Sequence, residues 1–160
     1  MASLFCCILT GCIPVFAYPR FWDFARKKPQ DSDLVGSYKV LELRLPEEQR
    51  RLVGGDPRIT LRRDHTADLI ALPEFDVFGK GIECIVSGTA TWELYNSTWD
   101  WYVEFKNYHA TNKGSAGECK RENTIWGSPV VLSRHAPDRL YDYVGDPDSD
   151  TGIEYHRFAK

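Results

Sequence analysis

The densest cluster of metal-ligating side chains in this sequence is Asp146-Pro-Asp148-Ser-Asp150-Thr-Gly152-Ile-Glu154. Alternate carboxylates can converge on a hard cation such as calcium. An EF-hand loop needs Gly at its sixth position and Glu at its twelfth. Counted from Asp146, those places hold Thr151 and Arg157, and Pro147 stiffens the second. The stretch therefore reads first as an acidic hairpin turn whose Asp side chains cap backbone N–H groups. Asp146, Asp148 and Asp150 are kept as weak calcium candidates. A second cluster is aromatic: Trp92, Tyr95, Trp99, Trp101 and Tyr102. Rings inside a small β-barrel either fill its core or line an apolar ligand cavity. Trp92, Tyr95, Trp99 and Trp101 are the ligand-binding candidates. His65, His109, His135 and His156 show no metal-ligand spacing and read as surface histidines. No Gly-x-Ser-x-Gly elbow is present. Ser133, His135 and Asp138 are close in sequence, but triads are assembled in space. No catalytic residue and no cofactor is assigned. Asn96-Ser97-Thr98 fits the glycosylation pattern, which matters only in a eukaryotic host.

Residues Leu4 to Tyr18 form an apolar run, short for a transmembrane helix and suited to a signal-peptide core. Within it Leu9-Thr10-Gly11-Cys12 resembles the bacterial lipobox: an aliphatic residue, two small residues, then Cys. The resemblance implies cleavage before Cys12, a diacylglycerol thioether on its sulfur and a fatty-acyl anchor of the palmitate type. No Lys or Arg precedes the run, so an upstream start, a plain apolar anchor and a buried N-terminal segment stay open. Cys6, Cys7 and Cys12 fall in this leader, which leaves Cys84 and Cys119 as an even pair. Export to an oxidising compartment would allow them to bridge. Closing that loop of about 35 residues would stabilise the fold by roughly 3–4 kcal/mol on the chain-entropy model. Two free thiols are the alternative.

The chain has 160 residues, 42% apolar and 27% charged, which is ordinary composition for one globular domain. Aromatics at 13% favour pleated structure. With Arg20, Arg26, Lys27, Lys28 and Asp23 set aside, residues from Asp31 onward carry 16 basic and 22 acidic side chains, a balance of −6. Such a domain repels a phosphate backbone, so nucleic acid is excluded as an expected partner. The basic cluster lies beside the apolar run, where it would meet anionic headgroups or simply be solvated.

The elements that must position these residues read as strands. Residues 1–18 are the leader or anchor, 19–35 a linker broken by Pro19 and Pro29, and 36–160 a single β domain. Gly36 to Arg44 alternates between Gly and Pro boundaries. Pro46 to Leu52 is a helix of one or two turns, ended by Gly54-Gly55. Arg58–Arg63 and Thr66–Leu72 form a hairpin turning at Asp64-His65, followed by a looser stretch to Gly81. The clearest hairpin runs from Cys84 to Tyr95 and from Trp99 to Asn107. Its second arm sets Trp99, Trp101, Val103 and Phe105 on one face and Asp100, Tyr102, Glu104 and Lys106 on the other. Its first arm sets Ala90, Trp92 and Leu94 against Thr89, Thr91 and Glu93. Tyr108 to Asn123 reads as a loop, and strands resume at Ile125–Ser133, Arg139–Gly145 and Ile153–Phe158.

About eight short antiparallel strands and one short helix must manage their edges, by closing into a barrel or by forming a β-sandwich. The succession Gly36-Ser-Tyr38, Asp64-His-Thr66, Gly88-Thr-Ala-Thr-Trp92 resembles small bacterial lipocalin-like barrel domains. The resemblance implies a closed β-barrel and carries over no catalytic residue. The expected protein is a non-catalytic β-barrel lipoprotein of the cell envelope, extracytoplasmic and held at the membrane by a lipid anchor. Its expected partner is a small apolar ligand or an envelope protein. The alternatives are a cell-surface interaction module of the inhibitor or immunity type, and a hydrolase.

Overall fold

A computed structural model describes residues 24–75, 81–96, 100–112, 130–132, 138–144 and 151–160. Within them the chain runs α1 (Asp31–Leu34), β1 (Gly36–Arg44), α2 (Glu47–Arg50), β2 (Arg58–Leu61), β3 (Thr66–Phe75), β4 (Ile82–Asn96), β5 (Trp101–Asn112), β6 (Val130–Leu132), β7 (Arg139–Tyr143) and β8 (Gly152–Ala159). Each strand pairs antiparallel with the next, and β8 pairs with β1, so the sheet closes into a barrel in chain order. The sandwich alternative is therefore set aside. Closure removes the two free edges that an open eight-stranded sheet would expose.

The inner face follows the alternation of the strands. Tyr38, Ile59, Leu61, Ala67, Leu69, Val86, Ala90, Trp92, Val103 and Phe105 belong to one buried cluster. Strand register explains the grouping: Tyr38 lies opposite Ile59, Leu69 opposite Gly88, and Trp92 opposite Phe105. Bending into a barrel needs irregularities, and β3 carries one between Leu69 and Leu72. Ala71 sits there at φ 50, and its N–H donates to the Ser87 hydroxyl at 2.8 Å. At the β2–β3 turn Asp64 accepts from both the N–H and the hydroxyl of Thr66. Those two bonds hold its carboxyl below the usual range.

Three expectations need correcting. The assigned linker 19–35 is part of the domain from Phe24 onward, because Phe24, Ala25 and Leu34 are buried and 31–34 form α1. A second short helix therefore joins the expected one. The looser stretch after Leu72 begins as strand through Phe75, and the loop expected at Tyr108 begins as strand through Asn112. In both cases cross-strand pairing extends the strand past the point where its own pattern fades.

Candidate functional site

The two ends of the barrel treat their polar groups differently. At one end α1 closes the ring. Leu34 is 0% exposed, and its carbonyl accepts the Tyr38 hydroxyl at 2.7 Å. Arg157 donates from its guanidinium to the Asp33 carbonyl and also bonds Tyr38. Burial pushes the Tyr38 phenol up to about 12. Gly36, at φ 149, is required where β1 meets β8, since a Cβ there would lie 2.5 Å from the Ala159 carbonyl oxygen. Trp92 sits in the same region. Its indole N–H donates to the Arg62 carbonyl at 3.0 Å, and its ring stacks on His65 with centroids 4.9 Å apart. The other side of His65 faces α1, with Nε2 3.4 Å from Asp31 Oδ2. This end is a fastened plug.

The wall formed by β7 and β8 is different. Leu140 and Asp142 alternate inward on β7, opposite Tyr155 and Ile153 of β8. Leu140, Ile153 and Tyr155 belong to the core cluster. Asp142 stands among them, 2% exposed, and its Oδ1 has no hydrogen-bond partner. Burial raises its carboxyl well above the usual carboxylate range, so the neutral acid is favoured. Tyr155 is 0% exposed, and its hydroxyl is likewise without a partner. Burial raises this phenol as well, and the neighbouring Asp142 charge adds to the effect. A buried polar atom left unbonded costs about 1–3 kcal/mol, so two on adjacent strands are a notable expense in the core.

The opposite face of this wall is covered as well. Tyr141 and Tyr143 point outward, and Phe24 packs edge-on against Tyr143 at 5.7 Å. Tyr141 meets Tyr143 at 4.7 Å. Beside them Arg139 pairs with Glu154 at 3.0 Å. The segment before α1 thus covers the outside of β7, and Gly152 permits the close β7–β8 approach, since a Cβ there would lie 2.8 Å from the Tyr141 ring.

Four strands away around the ring, Glu74 on β3 is 2% exposed and lies opposite Cys84 on β4. Cys84 Sγ is 2.9 Å from Glu74 Oε2. Both are on the row that continues Leu72 and Val86 of the core. Glu74 and Asp142 are each near the C-terminal end of a strand that starts at the plugged end. Both acids therefore lie toward the far end of the barrel, where Leu45 and Val53 of the β1–β2 connection complete the core.

The residues singled out from sequence are scattered by this arrangement. Trp92 is interior, as its strand pattern requires, but its N–H is committed within the plug. Tyr95 is 57% exposed on the outer face, so it does not line the interior; its position is one residue out of phase with Trp92. Trp101 is half-buried, with the Lys28 ammonium 5.7 Å above its ring. Trp99, Cys12, Cys119 and the calcium candidates Asp146, Asp148 and Asp150 lie outside the described residues, as do Ser133 and His135. Among the described residues no group of three or more His, Cys, Asp or Glu is placed to hold a metal. Sequence reasoning passed over Asp142 and Tyr155. Their one signal is an acid inside the aromatic run Leu140-Tyr-Asp-Tyr143. No family model, no curated protein and no solved structure matches the chain.

Proposed function

We propose that this protein is a non-catalytic binding protein of the cell envelope, which holds a small, largely apolar molecule inside its barrel. The observation that carries the reading is the Asp142–Tyr155 pair. Ligand sites are mostly apolar walls with a few polar groups that fix orientation. An unbonded carboxyl and an unbonded phenol on an otherwise apolar wall have that composition. A bound molecule that bonds both groups would offset the cost of burying them.

The anchoring part of the proposal rests on the sequence. Cys12 in Leu9-Thr10-Gly11-Cys12 would carry the lipid, placing the barrel on the extracytoplasmic face of a membrane. Among the described residues no helix is long and apolar enough to cross a membrane. In that compartment Cys84 would be bridged to Cys119. Intact mass of the mature protein reads both features: a diacylglycerol adduct on a chain beginning at Cys12, and the loss of two hydrogens for the bridge.

The binding reading is tested on protein purified from its native host under non-denaturing conditions. Organic extraction followed by mass spectrometry should return one small molecule near one per barrel. The same preparation of a Tyr155→Phe, Asp142→Leu double variant should return little of it. An empty wild-type barrel whose thermal stability is unchanged by extraction would overturn the reading.

A further inference from the structure

We infer that the molecule held in the barrel is a small organic cation, an amine whose ammonium group pairs with the Asp142 carboxylate beside the Tyr155 hydroxyl. The inference rests on the interior-binding reading above and names the chemical class that this site would take.

The choice of side chain is the first argument. A neutral ligand needs only a neutral donor and acceptor, and Asn or Gln would supply both at any pH. A carboxyl at the same place is neutral only while protonated, and burial makes its ionised form costly. Besides a more acidic donor, a carboxyl adds over an amide the capacity to carry charge. That capacity discriminates a cation from a neutral ligand of the same size.

The balance of charge inside the barrel is the second argument. Asp142 and Glu74 are buried on opposite walls. Among the described residues no basic side chain is placed against Asp142, whose carboxyl is raised by burial. The described basic groups near this wall are engaged elsewhere. Arg157 bonds Tyr38 and the Asp33 carbonyl at the plugged end, and Arg139 bonds Glu154 on the outer face. Among the described residues the titratable group facing Asp142 from the packed strands is Tyr155. An ammonium group brings three donors, and the Asp142 carboxylate and the Tyr155 hydroxyl oxygen can each accept one. The aromatic rings of the core, Tyr155 and Phe105 among them, offer negative faces to a cation.

Binding balances in protons. The neutral carboxyl and an incoming ammonium give an ion pair, and the carboxyl proton leaves to the buffer. The test uses the full folded chain with two probes of equal size, 2-phenylethylamine and 2-phenylethanol, followed by titration calorimetry near pH 7. The amine is expected to bind at least about tenfold more tightly than the alcohol, the range for a hydrogen bond to a charged group. Repeating the titration between about pH 5 and pH 8 in buffers of different ionisation heat should show proton release with the amine that grows toward the acid end, and none with the alcohol. Asp142→Asn should bring the two affinities to within about twofold, and a thermal melt checks that this variant folds. If it does not fold, proton release by the wild type decides alone. Equal binding of the two probes by the wild type, or tight amine binding without proton release, overturns the cationic class and leaves interior binding standing. Failure of both probes to bind a barrel that also yields no native small molecule overturns both readings.

Discussion

The plugged end of the barrel and the β7–β8 wall are built from the same kinds of residue and reach opposite states. Each buries a tyrosine almost completely. At the plug Tyr38 donates to a backbone carbonyl and meets Arg157. On the wall Tyr155 has no partner and stands beside an acid that also lacks one. The first arrangement is what buried polar groups ordinarily do, since a hydrogen bond offsets the loss of water. The second leaves free energy unrecovered inside a folded core. Stability alone does not select such a wall, which is why it and not the aromatic hairpin is the candidate site. Trp92, one of the four ligand candidates of that hairpin, belongs to the plug.

Four measurements test that contrast. The largest effect is expected at the plug. Trp92→Ala should cost about 3–5 kcal/mol of unfolding free energy by chemical denaturation, as for other buried aromatic truncations. A loss under about 1 kcal/mol would show that the plug is not a packed unit.

The next effect is a pH dependence that belongs to the wall. Burial raises the folded-state carboxyl of Asp142 above its unfolded value. Between those two values the folded chain holds the extra proton. Its stabilising effect is complete below the unfolded value of about 3.9, and stability then falls as pH rises toward the folded value, by about 1.4 kcal/mol per unit. Asp142→Asn should remove that slope from a plot of stability against pH. An unchanged slope would place its origin elsewhere.

Smaller still is the paired removal of one oxygen from each tyrosine. Tyr38→Phe should destabilise by about 1–2 kcal/mol, because the Leu34 carbonyl loses its donor. Tyr155→Phe should be neutral or stabilising by up to about 1 kcal/mol, since its hydroxyl has nothing to lose. Equal losses would show that the wall is satisfied after all. The smallest change is expected at Tyr95, which is exposed on the outer face. Tyr95→Ala should shift stability by no more than about 0.5 kcal/mol and leave interior binding of any probe unaltered.

Much of the barrel was legible in the residues. The first strand runs from Gly36 to Arg44 as its bounding Gly and Pro suggest. The two faces of the central hairpin separate as their alternation requires, with Trp92 and Phe105 inward and Thr91 and Lys106 outward. The Asp64-His65 turn is held by the Thr66 bonds that its composition invites. Two features escaped. Helix α1 is four residues long in a polar, Pro-flanked stretch, and its role comes from Leu34 entering the barrel and from its contacts with His65 and Arg157. The wall escaped because Leu140, Tyr141 and Asp142 are buried in succession. One face meets the core and the other meets Phe24, so period two is erased there.

Spacing along one chain was enough for the strand count, the Asp64-His65 turn and the dry side of the central hairpin. Only the tertiary structure decided that β8 closes on β1, that Phe24 covers β7, and that Asp142 points inward without a partner. Each of these depends on segments far apart in the chain meeting in space, and hydrophobic periodicity within one strand carries no information about what lies across from it.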